Sequence, residues 1–349
     1  MGNLKATIAE APIKAGCRVL LRADYNVPVD EQGQITDDRR IVNSIPTLQY
    51  CLDRQAKLII CSHFGRPDGG RDARYSLRPV AERLQQLLPQ VTVQFADDCV
   101  GDTVKQQINA LPNGAILVLE NVRFHAAETA NDPAFAQQLA DLADVYVNDA
   151  FGAAHRAHAS TVGVAQYLPG YAGLLMAREI DYLSQVTTNP ARPFTVIIGG
   201  KKIADKLPMV NKLADTADYI LVGGLVAQQW QPDTKPHHAQ ILVAADQGAD
   251  ISPATVAAWQ PILQQSKTIF WNGPLGKFED PASAYGTQAI AKIVSESGAL
   301  TVVGGGDTGA AIRDFIFDHV STGGGAALEF VQGCTLPGVA CLRNKGVKR

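Results

Sequence analysis

Along most of the chain, short apolar runs alternate with longer stretches in which apolar residues recur every three or four positions. The first pattern predicts strands covered on both faces, and the second predicts amphipathic helices. Strands are predicted at Arg18–Leu21, Lys57–Cys61, Ala115–Leu119 and Val145–Val147. They are predicted again at Thr195–Ile198, Tyr219–Val222, Ile241–Ala244, Thr268–Phe270 and Leu300–Val303. Helices are predicted in DRRIVNSIPTLQYCLDR, SLRPVAERLQQLL and DPAFAQQLADLA, with Ser76 as an N-cap and Pro79 in the turn behind it. Strand–helix alternation of this kind predicts an α/β fold of doubly wound, mainly parallel, Rossmann-like sheets with helices on both faces.

The chain is too long, at 349 residues, for one ordinary domain. The chemistry at the strand ends changes near the middle, and GLLMAREIDYLSQV reads as an amphipathic helix joining two halves. The expected organisation is an N-terminal domain at 1–172 and an interdomain helix at 173–187. A second domain at 188–335 and a tail at 336–349 returning to the first complete it. A net charge of −3 argues against bulk nucleic-acid or anionic-membrane binding. The N-terminus has no apolar leader core, and no apolar run approaches 18 residues, so a cytoplasmic protein is expected. Cys17, Cys51, Cys61, Cys99, Cys334 and Cys341 show no CxxC and no metal spacing, which predicts free, buried thiols.

In doubly wound sheets, ligands sit beyond the carboxyl ends of the strands. The residues just past the first-half strands form a consistent set. RADYNVPVD supplies Asp24 and Asn26, and SHFGRPDGG supplies His63 and Arg66. LENVRFH supplies Arg123, NDAFGAAHRAH supplies Arg156, and Arg40 opens the helix after the first strand. Four arginines and a histidine at one sheet edge repel one another, so a multiply anionic small molecule among them is predicted. The planar guanidinium fork suits carboxylate and phosphate, and the ligand is expected to carry both. His155 and His158 could be read as a metal pair, but no further ligand lies nearby in sequence.

The second-half strands run instead into glycine clusters: FTVIIGG, YILVGG, LTVVGGG and HVSTGGG. Glycine lets backbone approach a ligand closely, and a helix that starts there aims N–H groups at phosphate. GGKKIADKL places Lys201, Lys202 and Lys206 at the predicted start of a helix, with Lys202 and Lys206 on one face. Asp307, in GGGDT, can hold Mg²⁺ on nucleotide phosphates. Gly304, Gly306 and Gly309 also satisfy a dinucleotide-binding fingerprint, although too little chain lies beyond them for a full unit. No Walker A motif occurs, and neither do the HRD and DFG of protein kinases.

These stretches, with FWNGPLGKFE and STGGGAALE, occur in one order from end to end, and the chain resembles phosphoglycerate kinase along nearly its whole length. The resemblance implies reversible phosphoryl transfer between 1,3-bisphosphoglycerate and ADP, giving 3-phosphoglycerate and ATP, in a monomer. It implies that Asp24, Asn26, Arg40, His63, Arg66, Arg123 and Arg156 bind the triose. Lys202 and Lys206 would contact the nucleotide phosphates, Asn272 and Glu279 would serve the nucleotide, and Asp307 would hold Mg²⁺. Gly305, Gly306 and Thr308 would bound the phosphate path, Arg40, Lys202 and Gly306 would be catalytic, and the run from Ser321 would lie near the transfer site.

The chain also departs from the family pattern. Lys201 stands where a small residue is usual, Lys277 where an apolar residue would lie near the base, and Ser252 where a glycine is usual. The segment after Trp230, within Tyr219 to Ala245, is shortened. These departures gather around the nucleotide base and predict altered nucleotide affinity or base preference with phosphoryl transfer retained. Two other readings stay open on the sequence: a catalytically weak paralogue that binds triose-phosphate metabolites or a partner, and a dehydrogenase.

Overall fold

The computed structural model describes residues 5–346 apart from residues 68, 202, 203, 205, 232–236 and 247. The chain divides into two compact units, residues 1–178 with 335–349, and residues 179–334. The division falls inside the helix Leu174–Thr187.

The first unit holds β1 (Arg18–Arg22), β2 (Lys57–Cys61), β3 (Val93–Phe95), β4 (Ile116–Val118), β5 (Val145–Asn148) and β6 (Gly170–Ala172). They form one sheet in the order β3-β4-β2-β1-β5-β6, with every pairing parallel. The second unit holds β7 (Phe194–Ile198), β8 (Tyr219–Val222), β9 (Gln240–Val243), β10 (Thr268–Asn272), β11 (Leu300–Gly304) and β12 (His319–Val320). Their order is β12-β11-β10-β7-β8-β9, again all parallel. Consecutive residues of β1 point to opposite faces, yet Leu20 and Leu21 are both fully buried. Both faces of that sheet are therefore covered, as continuous apolar runs require.

The nine predicted strands lie within one or two residues of observed ones. Three strands were not expected from the sequence: β3, β6 and β12. Each has two or three residues and each is an edge strand, so none needs the long apolar run that marks a central strand. Two local expectations are corrected. The helix after β2 is Arg78–Leu87 with Leu77 at its cap, so Ser76 lies one residue further out. Its hydroxyl still accepts from the Arg78 N–H and donates to Glu120. In the second unit the helix after β7 is Leu207–Ala214, so Lys201 and Lys206 precede it rather than filling its first turn. Pro208, suited to a first turn, marks that start.

The described residues after 334 pack on the first unit. Asn148 Nδ2 donates to the Gly338 carbonyl at 3.0 Å, and the Lys5 ammonium donates to Asn344 Oδ1 at 2.9 Å. The cysteines are free. Cys51, Cys61 and Cys99 are buried, but Cys17 and Cys341 are half-buried and Cys334 is exposed, so burial of all six is corrected.

Candidate functional site

Because all strands of each sheet run the same way, their carboxyl ends share one edge. In the first unit β4, β2, β1 and β5 are neighbours there. Arg22 closes β1, and Asp24 comes after it, ion-paired with Arg40. Asp24 Oδ1 also lies 3.9 Å from Nδ1 of His63, which comes after β2. Asn121, after β4, stitches this loop to the next. Its Oδ1 accepts from Phe64 N at 3.2 Å and Arg123 N at 3.1 Å, and its Nδ2 donates to the Phe64 carbonyl at 2.7 Å. Asn26 Oδ1 accepts from Gly65 N at 2.9 Å, and the Arg123 guanidinium donates to the Gly65 carbonyl at 2.8 Å. Arg156, after β5, donates to His155 at 3.2 Å.

Electrostatics shows that these cations share one region. His63 is nearly buried, and burial holds its pKa well below the usual value, with Arg22, Arg123, Arg40 and Arg156 adding repulsion. His158 is lowered to about 4, by burial first and then by Arg123, Arg22 and Arg156. Burial, with Arg22, Arg156 and Arg66, lowers even Arg123 to about 10, and Glu128 opposes them. A guanidinium is protonated at neutral pH in any case, so the shift registers burial first and crowding of like charge after it. Asp24 and Glu128 are too few to balance five arginines. Arg123 Nε is buried with no hydrogen-bond partner, a donor suited to an anionic oxygen.

His155 and His158 sit inside this cluster, where His158 Nδ1 lies 3.7 Å from Glu128 Oε1. Among the described residues, the one group with mutual metal-ligand spacing is Asp98, Cys99 and His125, with ligand atoms within 4.8 Å of one another. Cys99 thus has metal-type neighbours that its sequence context did not show. Burial raises that thiol well above its usual pKa, and His125 Nε2 is 2.8 Å from Asp98 Oδ1.

The second unit carries its own site where β11, β10, β7 and β8 end. A cavity of about 500 Å³ is lined by Lys201, Lys206, Lys277, Glu279 and Asp307, by Gly200, Gly305, Gly306, Asn272 and Thr308, and by apolar Leu225, Pro274, Phe278 and Leu328. Asn272 ends β10. Its Oδ1 accepts from the Lys206 ammonium, while its buried Nδ2 has no partner. The loops after β7 and β10 touch through backbone. A Cβ on Gly273 would lie 2.1 Å from the Gly199 carbonyl oxygen, and its φ of +95° independently demands glycine. Thr308 is buried, and its hydroxyl accepts from Gly273 N at 2.8 Å, so it holds two cavity loops together. At Gly306 a Cβ would meet nothing within 4 Å, which leaves the backbone open to the cavity. The sequence-predicted residues Lys206, Asn272, Glu279, Gly305, Gly306, Asp307 and Thr308 all line this one space. Lys202 lies outside the described residues.

Ser252 is the N-cap of the helix Pro253–Gln265, accepting from Thr255 N. His319 and Thr322 both bond Glu179, His319 Nε2 at 2.9 Å and Thr322 N at 2.8 Å. Several residues of the first site were not singled out in the sequence: Arg22, Asn121, Glu128 and Ser160. Arg22 was the most accessible of them, since an arginine inside an apolar strand needs partners.

Excess cations suited to a small polyanion, and a cavity whose lysines, carboxylates and glycine backbone suit a second one, are the equipment of a phosphotransferase. The comparisons with known proteins make this specific: the chain belongs to the phosphoglycerate kinase family. The family profile for phosphoglycerate kinase matches residues 12–234 and 229–334. Phosphoglycerate kinase of Koribacter versatilis is 43% identical, over 94% of this chain and 96% of that protein. That of Desulforudis audaxviator is 42% identical, over 98% and 100%. Among solved structures, phosphoglycerate kinase from Coxiella burnetii covers 97% of this chain and 98% of its own, at 32% identity and a TM-score of 0.82. The Pyrococcus horikoshii enzyme aligns with a TM-score of 0.83 at 28% identity. The two sequence alignments run over 389 and 394 positions, more than the chain has residues, and the profile match breaks at 229–234. The shortening therefore falls after β8, where the described chain holds the five-residue helix Gly224–Gln228 before β9. Membership of this family leaves no support for the dehydrogenase reading.

Proposed function

We propose that this kinase carries out reversible, Mg²⁺-dependent phosphoryl transfer between 1,3-bisphosphoglycerate and ADP, giving 3-phosphoglycerate and ATP. The observation that carries the triose assignment is the arginine excess around His63, with Arg123 Nε buried and unpartnered. In the ATP-consuming direction the acceptor is a carboxylate, already ionised at neutral pH, so the reaction needs no general base. The protein's task is then to position the two ligands and to neutralise charge on the moving phosphoryl group. Asp24, Asn26, Arg40, His63, Arg66, Arg123 and Arg156 hold the triose in this reading. Lys206, Asn272, Glu279, Gly305, Gly306 and Thr308 serve the nucleotide. Arg40, Lys202 and Gly306 meet the group in transfer, which runs in line between the two ligands once they are brought together with water excluded.

The cavity fits a nucleotide-bound Mg²⁺. Asp307 is exposed on it beside open glycine backbone, and Mg²⁺ typically takes one or two carboxylates while phosphates and water complete its shell. When bound there, it neutralises negative charge on the phosphate oxygens. Asp307 would hold it, and Lys206, tethered by Asn272, would add a positive charge to the same cavity.

Lys201 and Lys277 line the same cavity, and the chain is shortened beside it. Altered base preference is therefore part of the proposal. A cytoplasmic monomer is the assembly and location we assign. Among the described residues no helix is long and apolar enough to cross a membrane. A coupled assay with 3-phosphoglycerate and Mg-ATP on wild type and Lys202→Ala tests the assignment. Turnover is expected from the wild type alone, and equal turnover in both refutes the role of Lys202.

A further inference from the structure

Beneath the arginine cluster runs a chain of hydrogen bonds whose direction is fixed by what each group can donate. Glu128 is fully buried and accepts twice from Ser160, from its N–H at 2.9 Å and its hydroxyl at 2.6 Å. Having given its hydrogen to Glu128, the Ser160 hydroxyl accepts from Arg22 Nε at 2.8 Å. Arg22 is also fully buried. One terminal nitrogen donates to the Ala23 carbonyl, and the other lies 3.2 Å from Nδ1 of His63. A guanidinium only donates, so Nδ1 must be the acceptor. Asp24 Oδ1, 3.9 Å from the same nitrogen, is out of hydrogen-bond range, and that carboxylate is already held by Arg40.

We propose that Arg22, clamped from behind by Ser160 and Glu128, is a positioning residue. It locks the His63 ring in the tautomer whose Nδ1 accepts and whose Nε2 carries the hydrogen, ready to donate to the anionic ligand. The inference rests on the reading that 3-phosphoglycerate binds at this site. Arg22 itself has no exposed surface and each of its three nitrogens is engaged, so it acts through His63 rather than by touching the ligand. For His63 Nε2 the described residues show no hydrogen-bond partner, which leaves it for an oxygen of the ligand. Burial, with repulsion by the surrounding arginines, keeps the ring neutral, so the tautomer rather than the charge decides what the ring offers.

The test is the imidazole nitrogen spectrum of protein labelled with ¹⁵N-histidine, with His63 assigned from the signal missing in His63→Gln. A bare Nδ1 and a protonated Nε2 are expected in the wild type at neutral pH. Arg22→Met is expected to yield a mixture of tautomers, and Ser160→Ala a smaller change in the same direction. In turnover, Arg22→Met and His63→Gln should each raise KM for 3-phosphoglycerate by about tenfold, the loss of one hydrogen bond to an anion. The double variant should be no worse than the poorer single one. A protonated Nδ1 in the wild type overturns the inference even if Arg22→Met does not fold, and it leaves the substrate reading intact. Multiplied effects of about a hundredfold in the double variant overturn it too, since they make the two residues independent. Failure of 3-phosphoglycerate to bind a protein that shows the expected tautomer overturns the substrate reading and leaves the ring's positioning standing.

Discussion

Asp149, just after β5, is fully buried where the helix Leu174–Thr187 begins. Its Oδ1 accepts from Met176 N at 3.1 Å, while Oδ2 is buried with no partner. Burial pushes its carboxyl up to about 6, because the backbone and Thr47 bonds do not repay the lost hydration of the charge. The unfolded value is near 3.8. A group raised on folding contributes stability that is complete below its unfolded pKa and is lost as pH rises through its folded one. Here the loss runs from about pH 4 to pH 7 and amounts in full to about 3 kcal/mol. Between pH 5 and pH 8 the same linkage gives about 1.4 kcal/mol. Asp149→Asn keeps an oxygen for Met176 N and removes the titration. Whatever constant cost the amide introduces, the stability of the variant relative to wild type should rise by about 1.4 kcal/mol from pH 5 to pH 8. Urea titrations of both proteins at the two pH values measure this, and the comparison holds if both curves are fitted alike. A difference that stays flat across that range would show that the carboxylate is hydrated in the folded protein, and would refute the argument from burial.

Three further outcomes are expected. His158, lowered to about 4, acts in the opposite sense: its stability term is lost as pH falls below about 6.5, so His158→Gln should resist acid unfolding better than wild type in urea melts near pH 5. At a hundred times its Kd, 3-phosphoglycerate should stabilise wild type by about 2.7 kcal/mol, and the same concentration should give about 1.4 kcal/mol in Arg123→Gln if affinity drops tenfold, read by ligand-dependent denaturation at low salt. With Lys201 and Lys277 on the cavity wall, discrimination between ATP and GTP should be weak and a bare polyphosphate should be used measurably. Turnover with the three donors checks this, and a strong preference for ATP refutes it.

The central strands were legible because their burial on both faces leaves an uninterrupted apolar run, as in Phe194–Ile198 and Tyr219–Val222. Edge strands such as Gly170–Ala172 carry no such signal, since pairing on one side and a few residues suffice. The charged site residues were legible for a related reason. A charge directly after a buried strand has left the core, and in a parallel sheet every such exit lies on one edge. The support beneath the site was harder to see. Glu128 sits in the short helix Ala126–Thr129, and Ser160 in an irregular segment, so neither has a periodic context that marks it as buried. Lys206 read as a helical residue because GGKKIADKL favours helix locally, yet the helix starts only at Leu207. The glycine close approach of 199 and 273 was invisible, because it depends on two loops far apart in sequence.

The buried Glu128 resolves a difficulty that the arginine cluster raises. Guanidinium groups gathered around a buried one are costly without a nearby negative charge, because burial and mutual repulsion both weigh on Arg123. An acid exposed in the site would solve this by occupying the place of the substrate. Glu128 instead lies with zero exposure behind Ser160 and opposes the repulsion on Arg123 from the protein side. The positive field toward the open side is then left for the ligand. A sheet edge built this way has its counter-charge within the fold and keeps unmet hydrogen-bond capacity at the buried Arg123 Nε. That asymmetry separates a binding site from a salt-bridge network, in which each charge finds its partner inside the protein.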